Sequence, residues 1–349
     1  MPRPLPLLLV LIHLLLFALV HASLDSAIKL SGKLYFGTAL DPRHLSDTRC
    51  EPIARREFGS ITTENTLKWG ETQRVRGNFT LEDAETVVGW AMGAGKTVRG
   101  HALVWHGGVP DWVEQIQTAE EMRSVLQAHI TTVVSRFRGR LYAWDVVNEV
   151  FNDDGSWRES VFFRLLGAEY VRLAFRAANA ADPEVKLYLN DYHIHHQGPK
   201  LDAVIRLAQD LRAEGVPIHG IGSQTHLVVA DGNTPGMAQS LQHLATSTGL
   251  EIALTEVDVR IPQPANRRKL REQHGDYEYT VAACLAVPQC VGVTVWGISD
   301  RYSWVDDSEE TRGYDAPLMW DVRYVKKLAY EGAMKGIEGR GRAPRRRRG

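Results

Sequence analysis

Residues 185–224 read VKLYLNDYHIHHQGPKLDAVIRLAQDLRAEGVPIHGIGSQ, and this stretch decides the fold class. It opens with an apolar run at Val185–Leu189 and closes with another at His219–Gln224. The segment between them predicts an amphipathic helix, because apolar residues recur there at three- and four-residue intervals: Leu201, Val204, Ile205, Ala208 and Leu211. A strand, a helix and a second strand in this order form the repeating unit of a parallel sheet.

The same alternation continues in both directions along the chain. Apolar or β-branched runs recur at Leu34–Ala39, Ser60–Thr63, Thr97–Val104, Leu141–Val147, Val185–Leu189, His219–Gln224, Glu251–Val257 and Val291–Trp296. Helical patterns separate them, so the sequence predicts an α/β fold in which eight parallel strands close into a single (β/α)8 TIM barrel. An open doubly wound sheet is the alternative, but the chain lacks the Gly-x-Gly-x-x-Gly phosphate loop that would support it.

The composition is that of an ordinary globular protein. The 349 residues are 44% hydrophobic and 24% charged, and 41 basic against 42 acidic residues leave a net charge of -1. Such a chain is not disordered over long ranges, and its balanced charge argues against a nucleic-acid partner. No His or Cys spacing resembles a zinc site, so we predict no metal.

The N-terminus resembles a secretory signal peptide over residues 1–22. Arg3 supplies the early positive charge, an almost wholly apolar run covers Leu7–Val20, and small residues precede a cleavage point after Ala22. A membrane anchor is the alternative, but the run is shorter than the ~20 residues that a bilayer requires. We therefore expect a secreted, extracellular protein that has no membrane partner after cleavage.

The C-terminus changes composition abruptly. Six arginines lie in the last ten residues, at Arg340, Arg342 and Arg345 to Arg348, with no apolar residue that could anchor them. This pattern predicts a disordered Arg-rich tail over residues 336–349. The predicted (β/α)8 domain is then 23–335, which we expect to be monomeric.

Polar and aromatic residues follow every predicted strand from the second onward. The C-terminal ends of the strands carry the active site in barrels of this kind. The candidate site residues read off these ends are Glu64, Asn65, Lys68, His101, Trp105, Asn148, Glu149, Tyr192, Gln224, His226, Glu256, Trp296 and Trp304. An ordinary barrel rim with stray acids and core tryptophans would not repeat this pattern strand after strand.

Two carboxylates and three indoles in this set indicate carbohydrate chemistry. Glu149 follows the fourth strand and Glu256 ends the seventh, and glycoside hydrolysis uses two carboxyl groups that flank the bond to be cleaved. Trp105, Trp296 and Trp304 offer the flat faces on which sugar rings stack. The residues therefore predict a glycoside hydrolase, which requires no cofactor.

Seven motifs extend this interpretation to a family. They are Glu64–Trp69 (ENTLKW), Arg99–His106 (RGHALVWH), Trp144–Val150 (WDVVNEV), Leu187–Tyr192 (LYLNDY), Gly220–Leu227 (GIGSQTHL), Thr255–Asp258 (TEVD) and Thr294–Asp300 (TVWGISD). In these motifs, and in their order and spacing, the chain resembles the endo-1,4-β-xylanases of glycoside hydrolase family 10, and the fungal members in particular. The resemblance runs from about Lys33 to Asp321.

The resemblance implies an endo-acting, retaining enzyme that hydrolyses xylan and xylo-oligosaccharides. Glu149 corresponds to the general acid/base and Glu256 to the nucleophile. Asn148 would hold the 2-hydroxyl of the sugar being cleaved, and His226 would hydrogen-bond the nucleophile. Both neighbours are expected to lower the pKa of Glu256. Retaining enzymes place the two carboxyl groups about 5–5.5 Å apart.

The remaining site residues correspond to substrate-binding positions. The glycone side would be lined by Asn65, Lys68, His101 and Trp105, with Glu64 beside them. Gln224 would lie next to the nucleophile's histidine, and Tyr192 would bond sugar hydroxyls. Trp296 and Trp304 would close over the sugar next to the cleaved bond.

The cysteines and one asparagine suggest covalent modification. Cys284 and Cys290 are six positions apart around a turn-prone Pro288, which predicts a disulfide between them and leaves Cys50 free and buried. The resemblance to the fungal members of the family implies the same bridge. Asn78 begins the sequence Asn-Phe-Thr and is a glycosylation candidate in a secreted chain.

One departure from the family concerns the segment after His106. The family usually reads Ser-Gln there, whereas this chain has Gly107 and Gly108. The glutamine that contacts the sugar beside the cleaved bond is absent, so we expect Gly108→Gln to raise kcat/KM. A positive φ at the glycine pair would instead make the variant less stable.

Two alternatives to a xylanase remain open at this point. One is a related retaining barrel glycosidase that acts on another β-glycan, although Val150 after Asn148-Glu149 differs from the proline of the cellulase relatives. The other is a weakly active or non-catalytic barrel that binds xylan.

Overall fold

Eight parallel strands form the centre of the molecule. The computed structural model describes residues 23–231 and 234–339. The barrel strands are β1 Tyr35–Leu40, β2 Ser60–Thr63, β3 Thr97–Gly100, β4 Ala143–Asn148, β5 Lys186–Asp191, β6 Gly220–Ser223, β7 Glu251–Pro262 and β8 Cys290–Val295. Each strand pairs in parallel with the next, and β8 pairs with β1, so the sheet closes. The predicted (β/α)8 barrel is confirmed.

Two strands differ from their predicted limits by more than two residues, and five others differ by one or two. The run Thr97–Val104 breaks after Gly100, and the short strand Val104–Trp105 pairs separately with β4. The seventh strand continues beyond Val257 to Pro262, because its last residues pair with two short strands, His226–Val228 and Tyr314–Asp315.

Helices surround the barrel in the order that the sequence predicts. They are α1 Leu24–Leu30, α2 Pro42–Ser46, α3 Cys50–Glu57, α4 Trp69–Thr72, α5 Glu82–Gly93, α6 Asp111–Glu114, α7 Ala119–Arg136, α8 Val161–Leu166, α9 Glu169–Ala181, α10 Pro199–Ala213, α11 Met237–Thr248, α12 Arg267–Ala286, α13 Trp304–Asp307 and α14 Leu328–Glu338. Three 3-10 turns cover His106–Gly108, Asp300–Tyr302 and Glu309–Thr311. No helix among the described residues has the length and apolar character that crossing a bilayer requires.

The helix between β5 and β6 shows how the local sequence produces this packing. Pro199 lies in its first turn, where the missing N–H costs no hydrogen bond. All five apolar positions identified in the sequence are buried. Gly215 follows the helix with φ of 66°, a left-handed conformation that glycine adopts without steric cost and that ends the helix.

Large rings of the barrel wall lie against glycines of a neighbouring strand. Trp144 on β4 lies where a side chain at Gly100 on β3 would project, and Tyr188 on β5 does the same at Gly220 on β6. The rings are fully buried. A β-carbon at either glycine would overlap a ring, so these positions require glycine for close packing.

The chain ends differ slightly from the predicted boundaries. Helix α14 continues past residue 335 to Glu338, so the domain extends into the first residues of the predicted tail. The reason is packing, because Gly332 and Gly336 bring α14 into close contact with the backbone of α12. The predicted signal peptide at 1–22 and the arginines from residue 340 onward lie outside the described residues.

The predicted disulfide joins the end of α12 to the start of β8. Cys284 and Cys290 are bridged, with their Cα atoms 5.3 Å apart, and Cys50 is unbridged and buried. Chain-entropy arguments assign about 2–3 kcal/mol of stabilisation to so short a loop. We expect the Cys284→Ser/Cys290→Ser double variant to lose that much free energy of unfolding, measured by urea denaturation.

Reduced wild-type protein is the matched control for this variant. It should unfold at the same urea concentration as the double variant, because both lack the same bond. Equal stability of the oxidised wild type and the double variant would show that the bridge contributes nothing measurable.

Candidate active site

A cleft of about 560 Å³ lies at the C-terminal ends of the strands. It is lined by all thirteen residues that the sequence predicts for the site: Glu64, Asn65, Lys68, His101, Trp105, Asn148, Glu149, Tyr192, Gln224, His226, Glu256, Trp296 and Trp304. Seven further residues line it that the sequence analysis did not assign to the site: His106, Gly107, Arg158, His193, Arg260, Ser308 and Glu310.

Glu149 lies directly after β4 in a conformation that the surrounding structure holds in place. Its φ is 59°, which is unusual for a residue with a side chain. Its N–H donates to the Asn190 carbonyl at 2.9 Å, and its own carbonyl accepts from Arg158 Nε at 3.2 Å. Gln224 Nε2 donates to its carboxylate at 3.0 Å, and His106 Nδ1 lies 3.9 Å away. The backbone and the carboxylate are therefore both fixed.

Glu256 lies on β7 and is almost fully buried, with 4% of its surface exposed. Asn190 Nδ2 donates to Oε1 at 2.7 Å, and His226 Nε2 lies 3.3 Å from Oε2. His101 Nδ1 is 3.9 Å from Oε1. Burial alone raises the pKa of Glu256, but His101 and His226 outweigh it, so the net shift is downward. The carboxylate is therefore held in its ionised form.

His226 is itself held by a second carboxylate. Its Nδ1 lies 2.8 Å from Asp258 Oδ2, which also accepts from Trp304 Nε1 at 2.7 Å. Burial disfavours the imidazolium, but Asp258 and Glu256 together raise the pKa of His226 to about 10. At neutral pH His226 is therefore protonated and donates to a carboxylate on each side.

Three amide side chains, those of Asn148, Asn190 and Gln224, link the catalytic candidates. Asn190 Nδ2 donates to Asn148 Oδ1 at 2.8 Å as well as to Glu256, while its own oxygen accepts from Thr255 Oγ1 at 2.7 Å. Gln224 Nε2 also lies within 3.2 Å of Asn148 Oδ1. The sequence marked Asn190 only as a strand end. Asn190 is a polar residue that directly follows the apolar part of its strand and precedes Asp191. This position is the signal that could have assigned it to the site.

An aspartate that follows β1 holds residues predicted to line the glycone side of the cleft. Asp41 accepts from the backbone N–H of Asn65 at 3.0 Å and from its Nδ2 at 2.7 Å. Lys68 Nζ then donates to Asn65 Oδ1 at 2.7 Å and lies 5.0 Å from the centre of the Trp105 ring. Asp41, which the sequence did not single out, therefore orients two residues of the cleft.

Glu64 is buried beside this wall. Its carboxylate lies 3.6 Å from the Arg43 guanidinium and 3.8 Å from His44 Nε2. Glu64 lines the cleft, and Arg43 of helix α2 balances its negative charge.

Tyr192 also lines the cleft, and two basic side chains contact it. Its hydroxyl accepts from Arg158 at 2.7 Å, and Lys200 Nζ lies 3.1 Å from its ring centre. Lys200 also pairs with Asp191 at 2.9 Å. The neighbouring His193 reaches the cleft and contacts Asp153 at 3.1 Å. Across the described residues, no group of His, Cys and carboxylate side chains could hold a metal ion.

The glycine pair after His106 does not have the conformation that would require glycine. Neither Gly107 nor Gly108 has a positive φ, so the backbone explanation is wrong. A β-carbon on Gly108 would lie 2.9 Å from Trp105 Cε3. Gly108→Gln stays a prediction, and the β-carbon of a glutamine there would require the Trp105 ring or the backbone to shift.

Comparison with known proteins agrees with this geometry. Residues 23–336 match the family model of glycosyl hydrolase family 10. Endo-1,4-beta-xylanase A of Phanerodontia chrysosporium is 42% identical over 90% of this chain and 77% of its own length. Endo-1,4-beta-xylanase of Agaricus bisporus is 42% identical over 90% of this chain and 95% of its own length.

Solved structures show the same likeness. The xylanase 10B of Thermotoga petrophila, solved with xylobiose, superposes with a TM-score of 0.86 at 36% identity, covering 91% of this chain and 98% of that one. The endo-1,4-beta-xylanase XylE of Penicillium canescens gives 0.87 at 33% identity, with coverage of 91% and 98%. With a family model matched over most of its length and such relatives, this chain belongs to glycosyl hydrolase family 10.

Proposed function

We propose that this protein is a secreted, retaining endo-1,4-β-xylanase. The observation that carries the proposal is the pair of carboxylates, Glu149 and Glu256, which lie in one cleft and are linked by the amides of Asn148, Asn190 and Gln224. The names of the relatives support xylan as the substrate, and the hydrogen-bonding side chains and indoles of the cleft suit a polymer of sugar rings.

In the first step, the Glu256 carboxylate attacks the anomeric carbon of the sugar on the glycone side. The bond from that carbon to the bridging oxygen breaks, and the protonated Glu149 gives its proton to that oxygen as the shortened chain leaves. Asn190 and His226 hold the nucleophile through hydrogen bonds, which fixes its direction of attack.

In the second step, water breaks the ester between the sugar and Glu256. Glu149, now ionised, takes a proton from the water as its oxygen bonds to the anomeric carbon. Glu256 leaves as a carboxylate, and both carboxyl groups return to their initial protonation states. Two inversions at one carbon give net retention of configuration.

Two measurements test this proposal. Purified protein should release reducing sugar from xylan and not from carboxymethyl cellulose, and proton NMR should show the β-anomer first. Preferential release from the cellulose substrate would indicate the alternative β-glycanase. Xylan binding without release would indicate a non-catalytic barrel, and an α-anomer would contradict retention.

Secretion is part of the same proposal. Residues 1–22 have the composition of a signal peptide, and the bridge between Cys284 and Cys290 suits an oxidising compartment. Asn78 is exposed, as a glycan acceptor must be. N-terminal sequencing of protein recovered from culture medium should begin at Ser23, whereas an intact Met1 would contradict cleavage.

The His226–Asp258 pair predicts a pH effect. Asp258→Asn removes the charge that most raises the pKa of His226, so the imidazolium should lose its proton at a lower pH than in the wild type. The titration midpoint of the His226 ring, followed by NMR, should fall by about one pH unit or more. Asp202→Asn, on an exposed face of α10, is the control that should leave the midpoint in place.

The His226–Asp258 pair also makes the stability of the folded protein depend on pH. The folded-state pKa of His226, about 10, lies above its unfolded value, which is about 6.5. The stabilisation that protonated His226 gives to the folded state is therefore complete at pH values below its unfolded-state pKa. It is lost as the pH rises through about 10. A His226 titration that Asp258→Asn does not move would contradict the coupling between His226 and Asp258.

A further inference from the structure

A group of exposed cations lies outside the cleft, where residues 321–327 run along helix α3. We call this group the basic patch, and its members are Arg49, Arg56, Arg301, Arg323 and Lys326. Arg49 directly precedes α3 and lies 4.9 Å from the centre of the Tyr324 ring. Lys326 Nζ lies 3.4 Å from Glu57, the last residue of the same helix. The patch therefore extends along the whole helix.

The carboxylates that contact the basic patch lie beneath its cations. They belong to Asp47, Glu57 and Asp321, whose side chains are 13%, 3% and 28% exposed. The side chains of the cations that they contact are 43–80% exposed. The surface that meets solvent is therefore positive, although the whole chain has a net charge of only -1.

Two tyrosine rings hold the arginines of the patch in place. The hydroxyls of Tyr302 and Tyr324 both donate to Asp47 Oδ2, at 3.1 Å and 2.7 Å, which fixes the two rings. Arg301 lies 5.6 Å from the centre of the Tyr302 ring, and Arg49 lies 4.9 Å from that of Tyr324. A cation over an aromatic face is attracted by the ring. The arginines are therefore oriented before any ligand arrives, which lowers the entropy cost of binding one.

The patch adjoins the cleft through Arg43. The Arg43 guanidinium lies 3.6 Å from Glu64, which lines the cleft, and 5.5 Å from the centre of the Tyr302 ring. Val322 and Val325, which are more than half exposed, lie among the cations of residues 321–327. A polymer that leaves the cleft past Glu64 therefore meets a surface of both cationic and apolar groups.

We propose that the basic patch is a second polymer-binding surface, which binds a xylan segment whose side groups carry carboxylates. Arginine presents its N–H donors in a planar fork that matches a carboxylate. The two valines supply apolar surface for the faces of the sugar rings. The proposal rests on the proposed function for the xylan backbone, but binding at the patch requires no turnover.

The test compares two polymers that differ only in charge. One is glucuronoxylan, and the other is the same polymer after reduction of its carboxyl groups to alcohols. Every protein carries Glu256→Gln, so that neither polymer is cleaved. With the patch intact, the Kd for the acidic polymer should be about three- to tenfold lower than that for the reduced polymer at low ionic strength. The difference should vanish in about 1 M salt, where the screening length is about 3 Å.

The deciding variant is Arg49→Gln/Arg301→Gln, which removes two charges from residues that do not line the cleft. It should lose most of the preference for the acidic polymer, while its Kd for the reduced polymer stays unchanged. Arg123→Gln/Arg268→Gln, at exposed positions on α7 and α12, is the matched control and should keep the preference. An unaltered preference in the deciding variant would overturn the proposal, and so would an equal loss of affinity for both polymers.

Two further measurements exclude other sources of anion binding. A preference that disappears only when residues 340–349 are deleted would assign it to the C-terminal arginines and overturn the proposal. Duplex DNA that displaces glucuronoxylan at a lower concentration of charge than free glucuronoxylan does would overturn the choice of a polysaccharide. A wild type that does not hydrolyse xylan would overturn the proposed function, and the binding measurements would still decide this inference.

Discussion

Glu256→Gln is expected to reduce xylan turnover on the order of 10⁴-fold or more, which is the scale seen when a covalent nucleophile is removed. The amide keeps the shape of the carboxylate but carries no negative charge, so it cannot form the glycosyl ester. The rate of reducing-sugar release from xylan measures the effect. A mass spectrum taken during turnover of a slow substrate should show a glycosylated wild type and an unmodified variant.

The matched control is the same substitution at the first residue of the same strand. Glu251 begins β7 and pairs with Lys186 and Tyr188, far from the cleft-lining residues. Glu251→Gln should leave turnover unchanged, although it can lower stability. A Glu256→Gln variant as active as Glu251→Gln would exclude Glu256 as the nucleophile.

The barrel could be predicted because its signal is local and repeats. Each strand is short, apolar and followed by a turn, and each helix carries its apolar residues on one face, as α10 does. Strand limits were less predictable because pairing sets them. β7 extends to Pro262 only because His226–Val228 and Tyr314–Asp315 lie beside it.

Charges inside apolar runs were also hard to interpret from the sequence. Asp145 stands within the apolar fourth strand, yet it is buried in an ion pair with Arg99 and lies 3.0 Å from His101 Nδ1. This contact holds the His101 ring where it approaches Glu256. A buried charge is tolerated only with such partners, and the sequence alone does not show which residues they are.

The catalytic candidates themselves were predictable because each closely follows an apolar run of the sequence. The residues that hold them were not, because they meet only in three dimensions. Asn190 is 66 positions from Glu256 in the chain, and Tyr192, which Arg158 contacts, is 34 positions beyond that arginine. The packing of Trp105 on Gly108 also required coordinates, since the sequence shows only that a family glutamine is missing.

Glu149→Ala is expected to slow hydrolysis in a way that depends on the leaving group. Xylan releases a sugar hydroxyl, which needs a proton as the bond breaks, so its first step should slow by about 10²–10⁴-fold. An aryl xylobioside with a good leaving group needs no proton there. Its first step should be nearly unchanged, and a burst of released phenol measured in stopped flow should persist.

The second step gives an independent check on the same residue. Without Glu149 no base takes the proton from water, so the glycosyl ester on Glu256 should accumulate after the burst. Azide carries no proton to remove, so it should attack the anomeric carbon directly, release Glu256 and restore steady-state turnover of the aryl substrate. The product should be the β-glycosyl azide. Equal losses on xylan and on the aryl substrate, with no burst and no response to azide, would contradict the acid/base role, because each of those effects requires that the missing group transfers the proton.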